Sequence, residues 1–197
     1  EVLGSNLEEL QRVAGIVQDM LFLSRADRGS VARREATSSL AALARLVVDY
    51  HEAALEDVGL KIEIVGDTSA DCDLPLLQRA LSNLVANATR YADPGSTIQI
   101  EINALTDREV RIAVFNQGAP IKPEHLPRLF DRFFRGDGAR SDAHQHHGLG
   151  LAIVAAIARM HGGRPFARSA GGITSIGFTM LLVQRMSAGT STMKSSP

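Results

Sequence analysis

Two nine-residue runs, TIQIEINAL (97–105) and EVRIAVFNQ (109–117), alternate apolar and polar residues with few breaks. Alternation at period two places the apolar side chains of a strand on one face. The TDRE link (106–109) is short and polar, so the second run folds back on the first as a hairpin. A sheet with one apolar face must be covered by a second layer. Two further strands are expected around the Gly-Gly turn of RPFARSAGGITSIGFTMLLV (164–183), and one in GLKIEIVGD (59–67), which ends in a Gly-Asp turn.

The covering layer comes from separate helical blocks. Leu40, Leu43, Leu46, Val47 and Tyr50 mark the apolar face of a helix over 36–58. Asp73, followed by Pro75, caps a helix over 74–92, and DPGST (93–97) turns the chain out of it. A Pro-rich patch (122–131) reads as helical, and a helix over 149–161 stops at Gly162-Gly163. The expected class is α+β, a two-layer sandwich with helices over one face of a mixed sheet.

Residues 1–25 obey a different rule. Leu3, Leu7, Leu10, Ala14, Val17 and Leu21 alternate spacings of four and three, the seam of a coiled coil. A second stripe runs through Val13, Ile16, Met20 and Leu23. A helix apolar on two adjacent faces belongs in a multi-helix bundle, so partner helices are expected elsewhere. The polar, Gly-containing ADRGSVARRE (26–35) reads as a linker, 36–184 as one domain, and Ser/Thr-rich 185–197 as a frayed tail.

Composition narrows the function. Among 197 residues, 45% are hydrophobic and 22% charged, enough for a core without staples. A net charge of −1 gives no general attraction to nucleic acid or to an anionic membrane, so any phosphate site must be local. Cys72 is alone, which excludes a disulfide framework and points to a reducing compartment. No apolar run reaches the roughly 18–20 residues of a membrane span. The opening EVLGSNLEELQR lacks an initiator Met, as expected of a piece of a longer protein.

Chemistry is concentrated in four short stretches. In the helix that carries SNLVANATRY (82–91), Leu77, Ala80, Leu81, Leu84 and Ala88 set the core face, while Asn83, Asn87 and Arg90 fall at i, i+4 and i+7 on another. A solvated face accounts for these residues. So does a metal–phosphate site, in which hard amide oxygens suit Mg²⁺ and an arginine holds phosphate oxygens. FNQGAPI (115–121) puts an amide, Asn116, and a close-approach glycine, Gly118, at the end of a strand. In HHGLGLAIV (146–154), Gly148 and Gly150 open an apolar helix whose N–H groups face outward, as anions require. Between these lies FDRFFRGDGARSDAHQHH (130–147), a lid or a plain surface loop. His144, His146 and His147 have no Cys or carboxylate at ligand spacing, which argues against structural metal.

The order NLVANATRY, FNQGAPI, FDRFFR, GLGLAIV resembles the N, G1, F and G2 boxes of bacterial sensor histidine kinases, over roughly 1–184. NLEELQRVAGIVQDMLFLSRAD, RALSNLVANATRYA and EHLPRLFDRFFR look closest to the heavy-metal, copper/silver-type sensors. The resemblance implies the ATPase fold shared with gyrase and MutL, binding of Mg-ATP, and γ-phosphate transfer to a histidine for relay to an aspartate of a response-regulator receiver domain. It makes 1–25 the second helix of a dimerisation and phosphotransfer hairpin, homodimeric in the whole sensor. It further implies a cytoplasmic part of an inner-membrane protein, touching neither nucleic acid nor membrane itself. With one bundle helix, the chain is expected to be monomeric or weakly dimeric.

Carried over by residue, Asn87 matches the Mg²⁺ ligand, with Asn83 assisting or ordering a water. Arg90 matches the cation on the phosphates and Tyr91 lines the pocket. Asn116, Gly118 and Ile121 match the base-binding box, Phe130, Arg132, Phe133 and Arg135 the F box, and Gly148, Leu149 and Gly150 the phosphate turn. Two positions depart from the pattern: Asn116 replaces the usual Asp, and His146 stands where a Gly is usual. None of His51, His125, His144, His146, His147 and His161 begins a His-Glu-aliphatic-Arg-Thr-Pro box, so no self-phosphorylation is expected. Hydrolases of the superfamily place a Glu four residues before the metal-binding Asn. Here that position is Asn83, which cannot take a proton near neutral pH, so slow hydrolysis is expected. A degenerate module that only binds nucleotide or dimerises is the remaining alternative.

Overall fold

The computed structural model describes residues 2–136 and 147–182, with side chains from residue 9 onward. His144, His146, the side chains of Leu3 and Leu7, and the tail 185–197 lie outside the described residues. Helix α1 (Val2–Asp27) leads to a short strand β1 (Glu35–Thr37) and helix α2 (Leu40–Asp57). Strands β2 (Lys61–Val65) and β3 (Ala70–Cys72) precede helix α3 (Leu74–Tyr91). The hairpin β4 (Thr97–Thr106) and β5 (Glu109–Gln117) follows. Helix α4 (Gly150–Met160) and the hairpin β6 (Pro165–Ala170) and β7 (Ile173–Leu181) end the fold.

Five strands form one mixed sheet in the order β2-β4-β5-β7-β6. Only β2 runs parallel to its neighbour, because α3 carries the chain across between β2 and β4. Alternation decides the buried face: Ile98, Ile100, Ile102, Val110, Ile112, Val114, Ile176, Phe178 and Met180 are all sealed beneath α2, α3 and α4. The expected two-layer sandwich is the observed one.

Several expectations need correction. The second helix starts at Leu40, not 36, because Ser39 caps it by accepting from the Ala42 amide. Asp67 of the Gly-Asp turn strengthens that cap, accepting from the Ala41 amide at 2.9 Å and from the Ser39 hydroxyl at 2.7 Å. The Ala41 amide leads the hydrogen bonds that hold the Asp67 carboxyl below its ordinary range. Leu46 and Tyr50 are exposed; Leu40, Leu43, Ala44, Val47 and Leu55 make the buried face instead. The patch at 122–131 yields only a single 3-10 turn, Leu126–Arg128, since Pro127 removes a donor. The antiparallel pair β1–β3 had no alternating signal, being three residues a strand. Helix α1 runs two residues past the expected end.

Of its two stripes, α1 buries the later part of the second, Val13 at its start being exposed. Leu23 is 1% exposed, with Ile16 and Met20 beside it against the core, while Leu10, Val17 and Leu21 face outward. Burying one such leucine contributes about 1.5–3 kcal/mol, whereas an exposed ion pair such as Arg12–Glu9 gives about 0–1 kcal/mol. Leu23 therefore anchors the helix. An ion pair between Arg79 and Asp19, with the Arg79 guanidinium 4.3 Å above the Phe22 ring, fixes its position along α3.

Asp73 joins three segments of the chain. Its carboxylate accepts from Leu76 at the start of α3 (3.2 Å) and from the Arg33 amide (3.0 Å). Its own N–H donates to His161 Nε2 at 3.1 Å, and His161 Nδ1 lies 2.8 Å from the Ile157 carbonyl. Accepting at Nε2 requires a neutral imidazole with its proton on Nδ1. His161 is fully buried, and desolvation holds its pKa below the ordinary 6.5. Arg34 and Asp73 act on it in opposite senses, and the adjoining Cys72 thiol is pushed up to about 11, mainly by burial.

Because the unfolded chain protonates this histidine more readily, its contribution is full above pH 6.5 and is lost as pH falls below that value. His51, also lowered by burial, acts in the same window, whereas Asp67 acts only below about pH 3.8. Urea melts at pH 7.5 and 5.5 should show stability falling on acidification, and His161→Gln should flatten most of that slope while lowering stability at pH 7.5. Glycines offer a second check. A Cβ on Gly163 would lie 1.9 Å from the Thr179 carbonyl oxygen, whereas one on Gly15 in α1 meets nothing within 4 Å. Gly163→Ala should cost about 1–3 kcal/mol in denaturant melts, and Gly15→Ala should gain about 0.5–1 kcal/mol.

Candidate functional site

The polar face of α3 meets the start of α4. Asn83 donates through Nδ2 to the Arg79 carbonyl at 3.0 Å, which turns its oxygen the other way. That oxygen abuts Gly150: a Cβ there would lie 2.9 Å from Asn83 Oδ1. Helix α4 begins with Leu149 at its cap, buried and without a capping side chain, and no acidic residue lies in its first turn. Its first N–H groups and the positive end of its dipole therefore face the Asn83 oxygen's surroundings. Asn87 and Arg90 continue the same face of α3, both half-buried, and the Arg90 guanidinium stands 5.3 Å from the Tyr91 ring centre.

At its other end α3 meets the sheet. The Asp93 amide donates to the Gln117 carbonyl at 2.8 Å, and a Cβ on Gly118 would lie 2.2 Å from the Tyr91 carbonyl oxygen. Gly118 thus lets strand β5 end against the end of α3. Asn116, 4% exposed, donates through Nδ2 to the Gln117 carbonyl at 3.2 Å, leaving its oxygen to accept. Across the strand pair stands Thr174, buried, whose hydroxyl lies 3.0 Å from Ser169 Oγ. Ser169 in turn accepts from the Ile121 amide at 2.9 Å. Thr174 and Ser169 were not singled out in the sequence. Their only signal was a hydroxyl on each side of the Gly171-Gly172 turn, and only the strand register sets Thr174 opposite Asn116.

The FDRFFR segment is fastened to the start of α4. The Phe133 amide donates to the Gly148 carbonyl at 2.9 Å, and Phe133 adopts a left-handed φ of 62°. A side chain on Gly148, itself at φ 69°, would lie 2.9 Å from Phe133 backbone carbon, so only glycine fits there. Phe130 packs on the core, while Phe133 is exposed. Phe134 is gripped by the His125 ring edge-to-face at 5.5 Å and by the Arg128 guanidinium at 4.8 Å. Arg135 is half-buried, and Arg132 pairs with Asp27 at the end of α1.

The structure therefore brings Asn83 to Gly150, Tyr91 to Gly118 and Asn116, and Phe133 to Gly148; it directs Arg132 toward α1. Such a site can hold an anion and a hard cation at α4, and a flat polar heterocycle over Asn116 and Thr174. Helix α3 has no Asp or Glu, so it offers no general base for water. Among the described residues no three His, Cys, Asp or Glu cluster as a metal centre would require.

Known proteins resemble this chain in sequence and in fold. "Sensor histidine kinase CusS" of Escherichia coli strain K12 is 46% identical over 164 residues, 83% of this chain and 34% of that protein. "Sensor protein CzcS" of Cupriavidus metallidurans is 41% identical over 161 residues, 80% of this chain and 33% of that protein. The chain thus spans about a third of the length of these curated relatives. The Acinetobacter baumannii histidine kinase AdeS matches with a TM-score of 0.76 at 22% identity, covering 92% of this chain and 84% of that one. Full-length ShkA in complex with AMPPNP (TM-score 0.75, 21% identity, 88% of this chain, 36% of that one) has the same fold. So does ThkA in complex with the response regulator protein TrrA (TM-score 0.70, 23% identity, 90% of this chain, 49% of that one). No helix among the described residues is long and apolar enough to cross a membrane. A family model described as histidine kinase-, DNA gyrase B-, and HSP90-like ATPase matches residues 72–185, more than half of the chain, which belongs to that family.

Proposed function

We propose that this chain is the catalytic ATP-binding part of a two-component sensor histidine kinase of the heavy-metal-responsive type. The observation that carries the reading is the Asn83 oxygen, held beside Gly150 at the uncapped start of α4, on a helix without a carboxylate. An ATP hydrolase of this family needs a base there, and an amide supplies none, so a nucleophile must come from elsewhere. A histidine on a phosphotransfer hairpin is that nucleophile. Likeness to sensor kinases over most of the chain supports the same reading.

The donor set suits Mg-ATP. Asn87 and Asn83 offer the hard amide oxygens that would hold Mg²⁺. Arg90 and the Gly148–Gly150 turn hold the phosphates, with Arg132 and Arg135 as further cations. Tyr91, Ile121 and Phe130 flank the base, and Asn116 with Gly118 reads its edge. The metal, when bound, neutralises charge on the β- and γ-phosphates; this chain's residues orient the nucleotide and exclude a base. The AMPPNP held by ShkA supports the nucleotide assignment, and the TrrA complex of ThkA supports a response regulator as partner.

Helix α1 fits the second helix of the hairpin, residues 26–35 the linker and 36–184 the catalytic domain. Its outward stripe of Leu10, Val17 and Leu21 supports a bundle completed by partner helices in a homodimer. Calorimetric titration should show ATP binding that weakens at least tenfold without Mg²⁺. Asn87→Ala should abolish it while melting within about 0.5 kcal/mol of wild type; equal affinity with and without the metal would refute the site. Incubated with labelled ATP, the chain should gain no acid-labile phosphate by itself. Adding a hairpin that carries the phospho-accepting histidine should restore labelling, on the hairpin only.

A further inference from the structure

One long-range contact lies outside the roles given so far. Arg132 NH2 sits 2.5 Å from Asp27 Oδ2, across 105 positions of sequence. The backbone of this arginine is held at the start of α4, since the next residue, Phe133, donates to the Gly148 carbonyl. Its charge is directed the other way, to the last residue of α1.

Neither partner is sealed from water: the side chains of Arg132 and Asp27 are 37% and 51% exposed. A lone carboxylate holds an exposed guanidinium weakly, and a phosphate group, with more charge and fork-like acceptors, outcompetes it. The last turn of α1 is also lightly fastened. Leu23, Ala26 and the Asp19–Arg79 pair seat the helix, and the chain is tied again where the Ala32 amide donates to the Met160 carbonyl. Between these anchors Asp27 and Val31 line an open cavity of about 470 Å³ together with Arg159 and Met160. That turn can release while Leu23 stays buried.

We propose that Asp27 and the nucleotide phosphates compete for Arg132, so that docking of the last turn of α1 and nucleotide binding oppose each other. The inference rests on the nucleotide reading above. By linkage the effect is reciprocal: nucleotide loosens the end of α1, and a pull on α1 that withdraws Asp27 tightens nucleotide binding. A bundle helix that changes position thereby reports to the phosphate site through one side chain.

The test is a double-mutant cycle on the full chain, titrated with AMPPNP and Mg²⁺. Asp27→Asn should tighten binding by roughly two- to five-fold, the range an exposed ion pair permits. Arg132→Gln should weaken binding, and Asp27→Asn should add nothing in that background. Thermal melts establish that each variant is folded, with Asp27→Ser as substitute if the asparagine variant is not. Hydrogen exchange gives the reverse reading: amides of residues 24–27 should exchange faster at saturating nucleotide in the wild type and not in Arg132→Gln. Wild type that binds while Asp27→Asn is unchanged or weaker, or a gain that survives in Arg132→Gln, overturns the competition alone. Wild type that binds no nucleotide overturns the nucleotide reading and the competition with it.

Discussion

The backbone amide of Asp73 pointing into a neutral histidine is the constraint on which the rest of this fold turns. That one residue starts α3 with its carboxylate, holds the Arg33 amide of the segment after α1, and ends α4 through His161. The Leu181 amide donates to the His161 carbonyl, and the Arg34 guanidinium donates to the Leu181 carbonyl, so the end of β7 joins the same knot. Helices α3 and α4 are thus registered at the ends remote from the candidate site. The start of α4 then meets the middle of α3, where Asn83 abuts Gly150.

This division matters for chemistry. A site assembled from a helix N-terminus and amide side chains is weak in charge and depends on position for its strength. Asn83 and Asn116 each commit their NH2 groups to a nearby carbonyl, so each presents an oxygen of fixed direction. Two buried contacts with no room for a Cβ, at Gly118 and Gly148, bring the strand end and the FDRFFR segment close. The same economy leaves α3 without a carboxylate, and so without a general base for water on that helix.

Helix α1 packs on the rest of the fold through one side only. One stripe is spent on Leu23 and its neighbours, the other is left outward, and the two faces bind by different physics. Apolar burial seats the helix, while exposed ion pairs at Asp19 and Asp27 set where its ends lie. The Arg132 contact therefore belongs to the adjustable part of the interface.

Much of this was legible beforehand. Period-two alternation predicted the central hairpin and its buried face, Asp73 and Pro75 the start of α3, Gly162-Gly163 the end of α4, and the spacing of Asn83, Asn87 and Arg90 one polar helix face. These signals are local, carried by residues within a few positions of one another, and sequence shows them directly. What failed was equally local in form but settled at a distance. Leu46 and Tyr50 have helical apolar spacing, yet none of the described elements covers them; three-residue strands β1 and β3 exist only because they pair with each other. Ser169 and Thr174 look like ordinary strand hydroxyls until register sets Thr174 across from Asn116. Sequence by itself determined which face of the central hairpin must be buried and set Asn83, Asn87 and Arg90 along one polar helix face. Tertiary structure decided which of two stripes on α1 is covered and where Arg132 spends its charge, because burial and ion pairing depend on which distant segment arrives, and no spacing along the chain encodes that.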